Sequence, residues 1–170
     1  SEPVMALHYK ADAYSNLELH ISLDSQIRHA CSAFGTNGLV LEGQAPIYVA
    51  PPYYSCEHPI VMEGKGTQFV IGLSVQAPKG CVCQKDNTLL VTAENDVYIY
   101  LSGITDFQSQ DSYLARKKQM LERICNISYP QLKESHQKAY EAYFDRMDLT
   151  LNPGVQNDLV IKCFTMPVIL

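Results

Sequence analysis

The sequence contains no tryptophan, no extended basic block and no long apolar run. Its 13 lysine and arginine residues face 18 acidic ones, for a net charge of −5, so a nucleic acid is not expected as the main partner. No apolar segment is long enough to span a bilayer, so a membrane is not expected as a partner either. No signal peptide is visible at the N-terminus, and the localisation stays open, a periplasmic or secreted one included.

The familiar catalytic motifs are also missing. The sequence has no G-x-S-x-G, no P-loop, no G-x-G-x-x-G and no H-E-x-x-H. Its carboxylates fall mostly at predicted turns or on predicted helix surfaces, where nothing marks a raised pKa. We therefore predict no catalytic residue and no cofactor in this chain, and an intact small enzyme is the least favoured hypothesis.

The cysteines give no metal-binding or disulfide pattern. There are six: Cys31, Cys56, Cys81, Cys83, Cys125 and Cys163. Cys81 and Cys83 are two residues apart in a predicted strand, so they share a face and cannot easily pair with each other. No C-x-x-C occurs, and no histidine lies close in sequence to this C-x-C. We expect buried free thiols and no metal site.

The 170 residues are enough for one domain with a core, and residues 4–107 carry repeated strand signals. The predicted strands are 17–23, 27–34, 39–41, 67–77, 81–83, 88–93 and 96–102. Residues 27–34 are expected to form a hairpin with 17–23. Residues 81–83 are expected to start the strand that runs back along 67–77 after a turn. Short strands separated by turns predict a mainly β fold, an antiparallel β-sandwich followed by two C-terminal α-helices.

A loop rich in proline and tyrosine, residues 45–58 (APIYVAPPYYSCEH), interrupts these strands. Its prolines keep it out of a central strand. Tyr53, Tyr54 and His58 offer flat faces and polar tips on which a sugar could stack, so they are the candidate ligand-binding residues. The alternative is that the tyrosines cover one end of the sandwich. The lack of tryptophan weakens the case for a stand-alone sugar-binding platform.

Two helices are predicted after the strands. In residues 111–125, Leu114, Leu121 and Ile124 lie on one side. The second helix follows Ser128, a good N-cap residue, with Pro130 in its first turn. Its apolar face is Leu132, His136, Ala139, Tyr140, Tyr143 and Met147, and a strand-like alternation follows to Leu151.

This second segment has two interpretations. It is a connector between two larger bodies, or it is an ordinary core helix. In either case we expect Tyr140 and Tyr143 to be largely buried. We expect Arg146 to tie the helix end to the sheet, and His136 to make a polar contact where the helix docks.

Three segments, in order, resemble the N-terminal β-sandwich domain of glycoside hydrolase family 95, the bacterial and plant α-L-fucosidase-like enzymes. They are LEGQAPIYVAPPYY at 41–54, TLLVTAENDVYIYLSGITDF at 88–107 and SYPQLKESHQKAYEAYFDRMDLTL at 128–151. In the family the third segment carries a histidine, an aspartate-tyrosine pair and an arginine. The matching positions are His136, Ala139-Tyr140 and Arg146, and Ala139 departs from the family's aspartate.

The resemblance implies a supersandwich-like portion at residues 1–107, linker helices at 108–151 and a divergent apolar tail at 152–170. In the family a catalytic (α/α) toroid carries the chemistry, and this sequence does not include it. The implied role is an accessory, non-catalytic domain that supports such a toroid in carbohydrate metabolism; the alternative is a stand-alone carbohydrate-binding module. The expected partners are a catalytic toroid domain or chain, a carbohydrate, and a second copy bound through the apolar tail.

Overall fold

A computed structural model of the chain describes residues 3–12, 16–107 and 112–146. Within these residues the fold is mainly β, with two helices after the last strand, as predicted. The strands are β1 (Met5–Lys10), β2 (Leu17–Ser22), β3 (His29–Phe34), β4 (Gly38–Gln44), β5 (Tyr48–Val49), β6 (Ile60–Val61), β7 (Gln68–Gln76), β8 (Gly80–Lys85), β9 (Thr88–Ala93) and β10 (Asp96–Thr105). The helices are α1 (Tyr113–Asn126) and α2 (Tyr129–Phe144).

The strands form two packed antiparallel sheets and a small hairpin. The larger sheet has the order β1-β10-β7-β4-β3, the smaller one has the order β2-β9-β8, and β5 pairs with β6. Alternate residues of β9 point into the space between the two sheets. A buried cluster fills that space: Leu39, Leu73, Val75, Leu89, Val91, Ala93, Val97 and Ile99. The sandwich prediction is therefore confirmed, and its core lies between the faces of the two sheets.

Helix α1 covers the other face of the larger sheet. Its Met120, Leu121 and Ile124 join a second buried cluster that includes Val70 and Tyr100 of that sheet. The central strand β7 is thus covered on both faces, which explains its nearly continuous burial where β9 alternates. Leu114, predicted on the buried side, is 74% exposed, and Tyr113 is buried in its place. The predicted helix was correct, but its buried face was wrong at this position.

A glycine lets α1 approach the sheet closely. A Cβ atom on Gly72 of β7 would lie 2.6 Å from Leu121 Cδ2 and 2.9 Å from Ile124 Cδ1. Both distances are below normal contact, so any side chain at this position would push against the helix. The absence of a side chain at Gly72 therefore allows α1 to pack closely against the larger sheet.

Two predicted strand pairings were wrong. β2 pairs with β9 rather than with β3, and β3 pairs with β4. The six residues between β2 and β3 are enough for the chain to cross from one sheet to the other, and they contain no tight-turn sequence such as Asn-Gly. Likewise β8 does not return along β7 but pairs with β9 in the smaller sheet. The periodicity of the sequence predicted where the strands lie. It did not predict which strands pair with each other, because the pairing depends on which face each strand buries.

Helix α2 begins as predicted, with Ser128 at the N-cap and a proline in the first turn. It contacts the core through Tyr129 and Leu132 near its N-terminus, and no residue of α2 is buried. Tyr140 is 53% exposed and Tyr143 is 73% exposed, so the prediction that both are largely buried was wrong. Within the described residues, the predicted face is covered only at its start, where Leu132 packs against the core, and it is exposed at Tyr140 and Tyr143. Met147, the alternating segment to Leu151 and the tail at 152–170 lie outside the described residues.

Candidate functional site

The Tyr-Pro loop projects from the short hairpin of β5 and β6. The hairpin is extended by backbone hydrogen bonds from Ile47 N–H to the Val61 carbonyl, 2.8 Å, and from Ala50 N–H to the Pro59 carbonyl, 2.7 Å. At the tip, Tyr54 N–H donates to the Pro51 carbonyl at 2.9 Å, which closes a turn. Ala45 N–H also donates to the Thr67 carbonyl at 2.8 Å, so the hairpin continues directly from the ends of β4 and β7 in the larger sheet.

The candidate ligand-binding side chains are all on the surface of this loop. Tyr53 is 90% exposed and Tyr54 is 60% exposed, and His58 is exposed as well. The alternative prediction, that the tyrosines cover the end of the sandwich, was therefore wrong for Tyr53. Further apolar side chains on the same hairpin face solvent: Ile47, Tyr48, Val49 and Ile60. Such a concentration of exposed apolar and aromatic groups is typical of a contact surface.

A polar groove beside the hairpin was not found from the sequence. Two adjoining cavities, of about 420 and 580 Å³, share Gln44, Gln68 and Tyr113 in their walls. Asp106 lines one cavity, and Glu42 lines the other. Their donors and acceptors come from strands far apart in sequence, so no local motif could have indicated the groove.

Both carboxylates of this groove hold structural contacts. Glu42 pairs with the ammonium group of Lys117, and Asp106 Oδ1 accepts a hydrogen bond from Gln68 N–H at 2.9 Å. Burial raises the pKa of Tyr113, and the nearby negative charges of Glu42 and Asp106 raise it further. The groove thus offers a protonated phenol and amide groups, which suit hydroxylated ligands.

The predicted connector residues form an aromatic row along α2. The rings of His136 and Tyr140 have centroids 6.4 Å apart, and those of Tyr140 and Phe144 are 5.2 Å apart, with nearly parallel planes in both pairs. The guanidinium carbon of Arg146 lies 5.3 Å from the centroid of Tyr143. Among the described residues, Arg146 therefore stacks on its own helix and does not tie the helix end to the sheet, contrary to the prediction.

The structure also corrects the prediction for the thiols. Cys81 and Cys83 are exposed, so the expectation of buried thiols was wrong for them. Cys31, Cys56 and Cys125 are partly buried, and Cys31 and Cys125 pack against the two core clusters. Cys81 and Cys83 do share a face of β8, as predicted, with their sulfur atoms 3.5 Å apart. Cys163 lies outside the described residues.

No protein-family model matches the chain, and no curated protein matches its sequence significantly. In the part of the chain that the structure describes, no helix has the length and apolar character required to cross a bilayer. No cluster of three or more histidine, cysteine, aspartate or glutamate side chains arranged to hold a metal ion occurs there either.

Proposed function

We propose that this chain is an accessory, non-catalytic domain of a glycoside hydrolase of the family 95, α-L-fucosidase-like kind. Its role is to support a catalytic (α/α) toroid and to shape the rim of the toroid's sugar site. The observation that carries the proposal is the position of the three segments that resemble the family. The first runs from the end of β4 into the exposed hairpin loop, the second covers β9 and β10, which lie in different sheets, and the third includes α2. The hairpin loop and α2 both present aromatic side chains to solvent.

The aromatic row of α2 is the surface proposed to meet the toroid. Tyr140, Tyr143 and Phe144 expose large apolar areas, whereas Tyr129 at the start of the helix is held against the sandwich. A helix fixed at one end and uncovered at the other suits a connector between two bodies. Apolar surface of this extent is favourably removed from water when a partner covers it.

The Tyr-Pro loop is the part proposed to reach the sugar. Tyr53 and Tyr54 can stack on the C–H faces of a pyranose ring, and His58 adds a polar tip. The two prolines before Tyr53 reduce the conformational freedom of the loop, which lowers the entropy lost on binding. Loops carried by a rigid scaffold are common positions for such contacts.

A stand-alone carbohydrate-binding module is the second candidate. The exposure of Tyr53 and Tyr54 and the adjoining polar groove with Gln44, Gln68 and Tyr113 favour it. This alternative needs no toroid, because both binding surfaces belong to the described chain.

Two assays separate these roles. The chain is expected to hydrolyse no aryl α-L-fucoside above background, and to bind a separately produced family 95 toroid in a calorimetric titration. The double variant Tyr140→Ala/Phe144→Ala should weaken that binding, whereas Lys133→Ala, an exposed change on the same helix, should not. Fucoside hydrolysis that survives repurification and disappears on replacing one carboxylate of this chain would overturn the non-catalytic assignment.

A glycan array then tests the second candidate. Sugar binding by the chain alone, lost in Tyr53→Ala/Tyr54→Ala, together with no affinity for the toroid, would replace the accessory role with the binding-module role. Toroid binding without sugar binding by the isolated chain supports the accessory role.

A further inference from the structure

Strand β8 lies at the edge of the smaller sheet and carries two thiols on its outer face. Cys81 is opposite Thr92 and Cys83 is opposite Leu90 in the register with β9. Between them, Val82 points the other way and packs against the core between the sheets. Because one face of the strand is held by the core, the outer face presents both sulfur atoms in a fixed arrangement, and both residues are exposed.

The spacing of the sulfur atoms argues against an intrastrand disulfide. They are 3.5 Å apart, whereas a disulfide bond is about 2.05 Å long. Residues two apart on a strand have Cα atoms roughly 6.6 Å apart, close to the upper limit of about 6.8 Å for a disulfide. Closing the bond would therefore distort β8 or strain the bridge, and the paired register with β9 opposes the distortion.

The same spacing fits a bridging metal ion well. Two thiolates on a tetrahedral ion, each with a metal–sulfur distance of about 2.3 Å, have their sulfur atoms roughly 3.8 Å apart. The observed separation differs from this value by a few tenths of an ångström, which small side-chain rotations supply. Thiolate pairs select soft ions.

We propose that Cys81 and Cys83 form a surface chelate for a thiol-seeking divalent cation of the Zn²⁺ and Cd²⁺ class. On binding, two metal–sulfur bonds form, both S–H bonds break, and two protons pass to solvent. The hydrogen bond between the two thiols is lost in the same step. No change of oxidation state occurs, so no oxidant or reductant is needed.

The surroundings define an open site. Among the described residues, no further histidine, cysteine, aspartate or glutamate forms a metal-holding group with the two thiols. The remaining coordination positions are therefore filled from solution, by water or by small thiols. Cys81 also lines an open depression of about 310 Å³ with Lys79, Gly80, Thr92 and Glu94, so molecules in solution can reach the ion. An open position is the feature that distinguishes exchangeable and reactive sites from closed structural ones.

The test is a titration of the reduced, metal-free full chain with Cd²⁺ under anaerobic conditions, followed by thiolate-to-cadmium charge-transfer absorption in the ultraviolet. We expect one equivalent of Cd²⁺ to bind, and Cd²⁺ to displace Zn²⁺ bound beforehand, because thiolates prefer the softer ion. Cys81→Ser and Cys83→Ser should each weaken Cd²⁺ binding by at least about tenfold. Removing a residue that only hydrogen-bonds to a metal ligand already costs about 10–100-fold in affinity, and loss of a ligand itself should cost no less. Cys56→Ser and Cys163→Ser are the matched controls and should bind like the unaltered chain.

Two results would overturn the proposal. One is unchanged stoichiometric binding in the double variant Cys81→Ser/Cys83→Ser, and the other is an unaltered chain that binds no more tightly than Cys81→Ser. Both serine side chains would be exposed, so the circular dichroism spectrum and urea midpoint of each variant should match those of the unaltered chain. That check separates loss of the chelate from loss of the fold.

Discussion

The imidazole ring of His8 stacks on the phenol ring of Tyr98, with centroids 4.5 Å apart and planes 19° apart. The two residues are direct partners in the register of β1 with β10. Tyr129, the first residue of α2, completes the group with centroids 5.2 Å from His8 and 4.9 Å from Tyr98. His8 Nε2 also lies 2.7 Å from Asp96 Oδ1. This group is where the start of α2 is held against the sandwich.

A double-mutant cycle on Tyr98 and Tyr129 should reveal direct coupling. Because their rings touch, Tyr98→Ala and Tyr129→Ala should share a coupling free energy of about 0.5–1.5 kcal/mol, the range for aromatic pairs. Urea unfolding of the two single variants and the double variant gives this value. The control cycle pairs Tyr98→Ala with Tyr143→Ala, which should be additive within about 0.5 kcal/mol. Equal coupling in both cycles would contradict a specific anchor at Tyr129.

Replacing Gly72 by alanine should destabilise the chain through α1. The added methyl group would meet Leu121 and Ile124, and overpacking of this kind typically costs about 1–3 kcal/mol. Gly103→Ala is the matched control, since its Cβ would approach only the Val70 carbonyl at 3.2 Å and Ile71 Cγ1 at 3.6 Å. Urea midpoints should therefore fall more for Gly72→Ala than for Gly103→Ala. The reverse order would show that α1 does not rest on Gly72.

The two helices should respond oppositely to truncation of large side chains. Ile124→Ala removes a fully buried side chain of α1 and should cost about 2–5 kcal/mol. Tyr140→Ala removes a half-exposed side chain of α2 that stacks on His136 and Phe144, and it should change the free energy of unfolding by no more than about 1.5 kcal/mol. If Tyr140 were buried, the same substitution would be expected to cost about 3–5 kcal/mol. A large effect of Tyr140→Ala in the isolated chain would show that its face is covered.

The contrast between Ile124 and Tyr140 shows what the sequence could predict. Both residues lie on a correctly predicted helix, at positions with helical spacing. That spacing indicates which residues share a face, but it carries no information on what the face packs against. Ile124 meets the larger sheet, where Gly72 leaves room for it, whereas Tyr140 stacks on His136 and Phe144 of its own helix. The covering element must be known before burial can be predicted.

The strands give the same lesson in another form. Alternation predicted β2 and β9 closely, and the spacing of Cys81 and Cys83 correctly predicted a common face. The pairing of β2 with β9 could not be predicted, because it joins residues that are far apart in sequence and depends on sheet-to-sheet packing. The groove around Gln44, Gln68 and Tyr113 was missed for the same reason. The sequence showed which residue types lie near one another along the chain. It did not show which residues from distant strands come together to form one surface.

Tyr100 should make the stability of the fold sensitive to alkaline pH. Its ring is fully buried, and its hydroxyl group donates a hydrogen bond to Gln76 Oε1 at 3.3 Å. Burial raises the pKa of Tyr100 from 10.0 to about 12, and the neighbouring Tyr98 adds to the shift. The folded chain thus holds this proton more tightly than the unfolded chain does. The resulting stabilisation is complete below the unfolded pKa of 10.0 and is lost as the pH rises towards about 12.

Urea unfolding at a series of pH values from about 8 to about 11 tests this dependence directly. The free energy of unfolding should decrease above pH 10.0, by roughly 1.4 kcal/mol at about pH 11 for Tyr100 alone, because its folded pKa of about 12 is not yet reached. Tyr100→Phe should cost about 0.5–1.5 kcal/mol at neutral pH through the lost hydrogen bond, and it should flatten the alkaline decrease. A shallower decrease should remain, because burial also raises the pKa values of Tyr98 and Tyr113. Tyr48→Phe, at an exposed position, should leave the curve unchanged. Equal alkaline slopes for Tyr100→Phe and the unaltered chain would show that another group controls the transition.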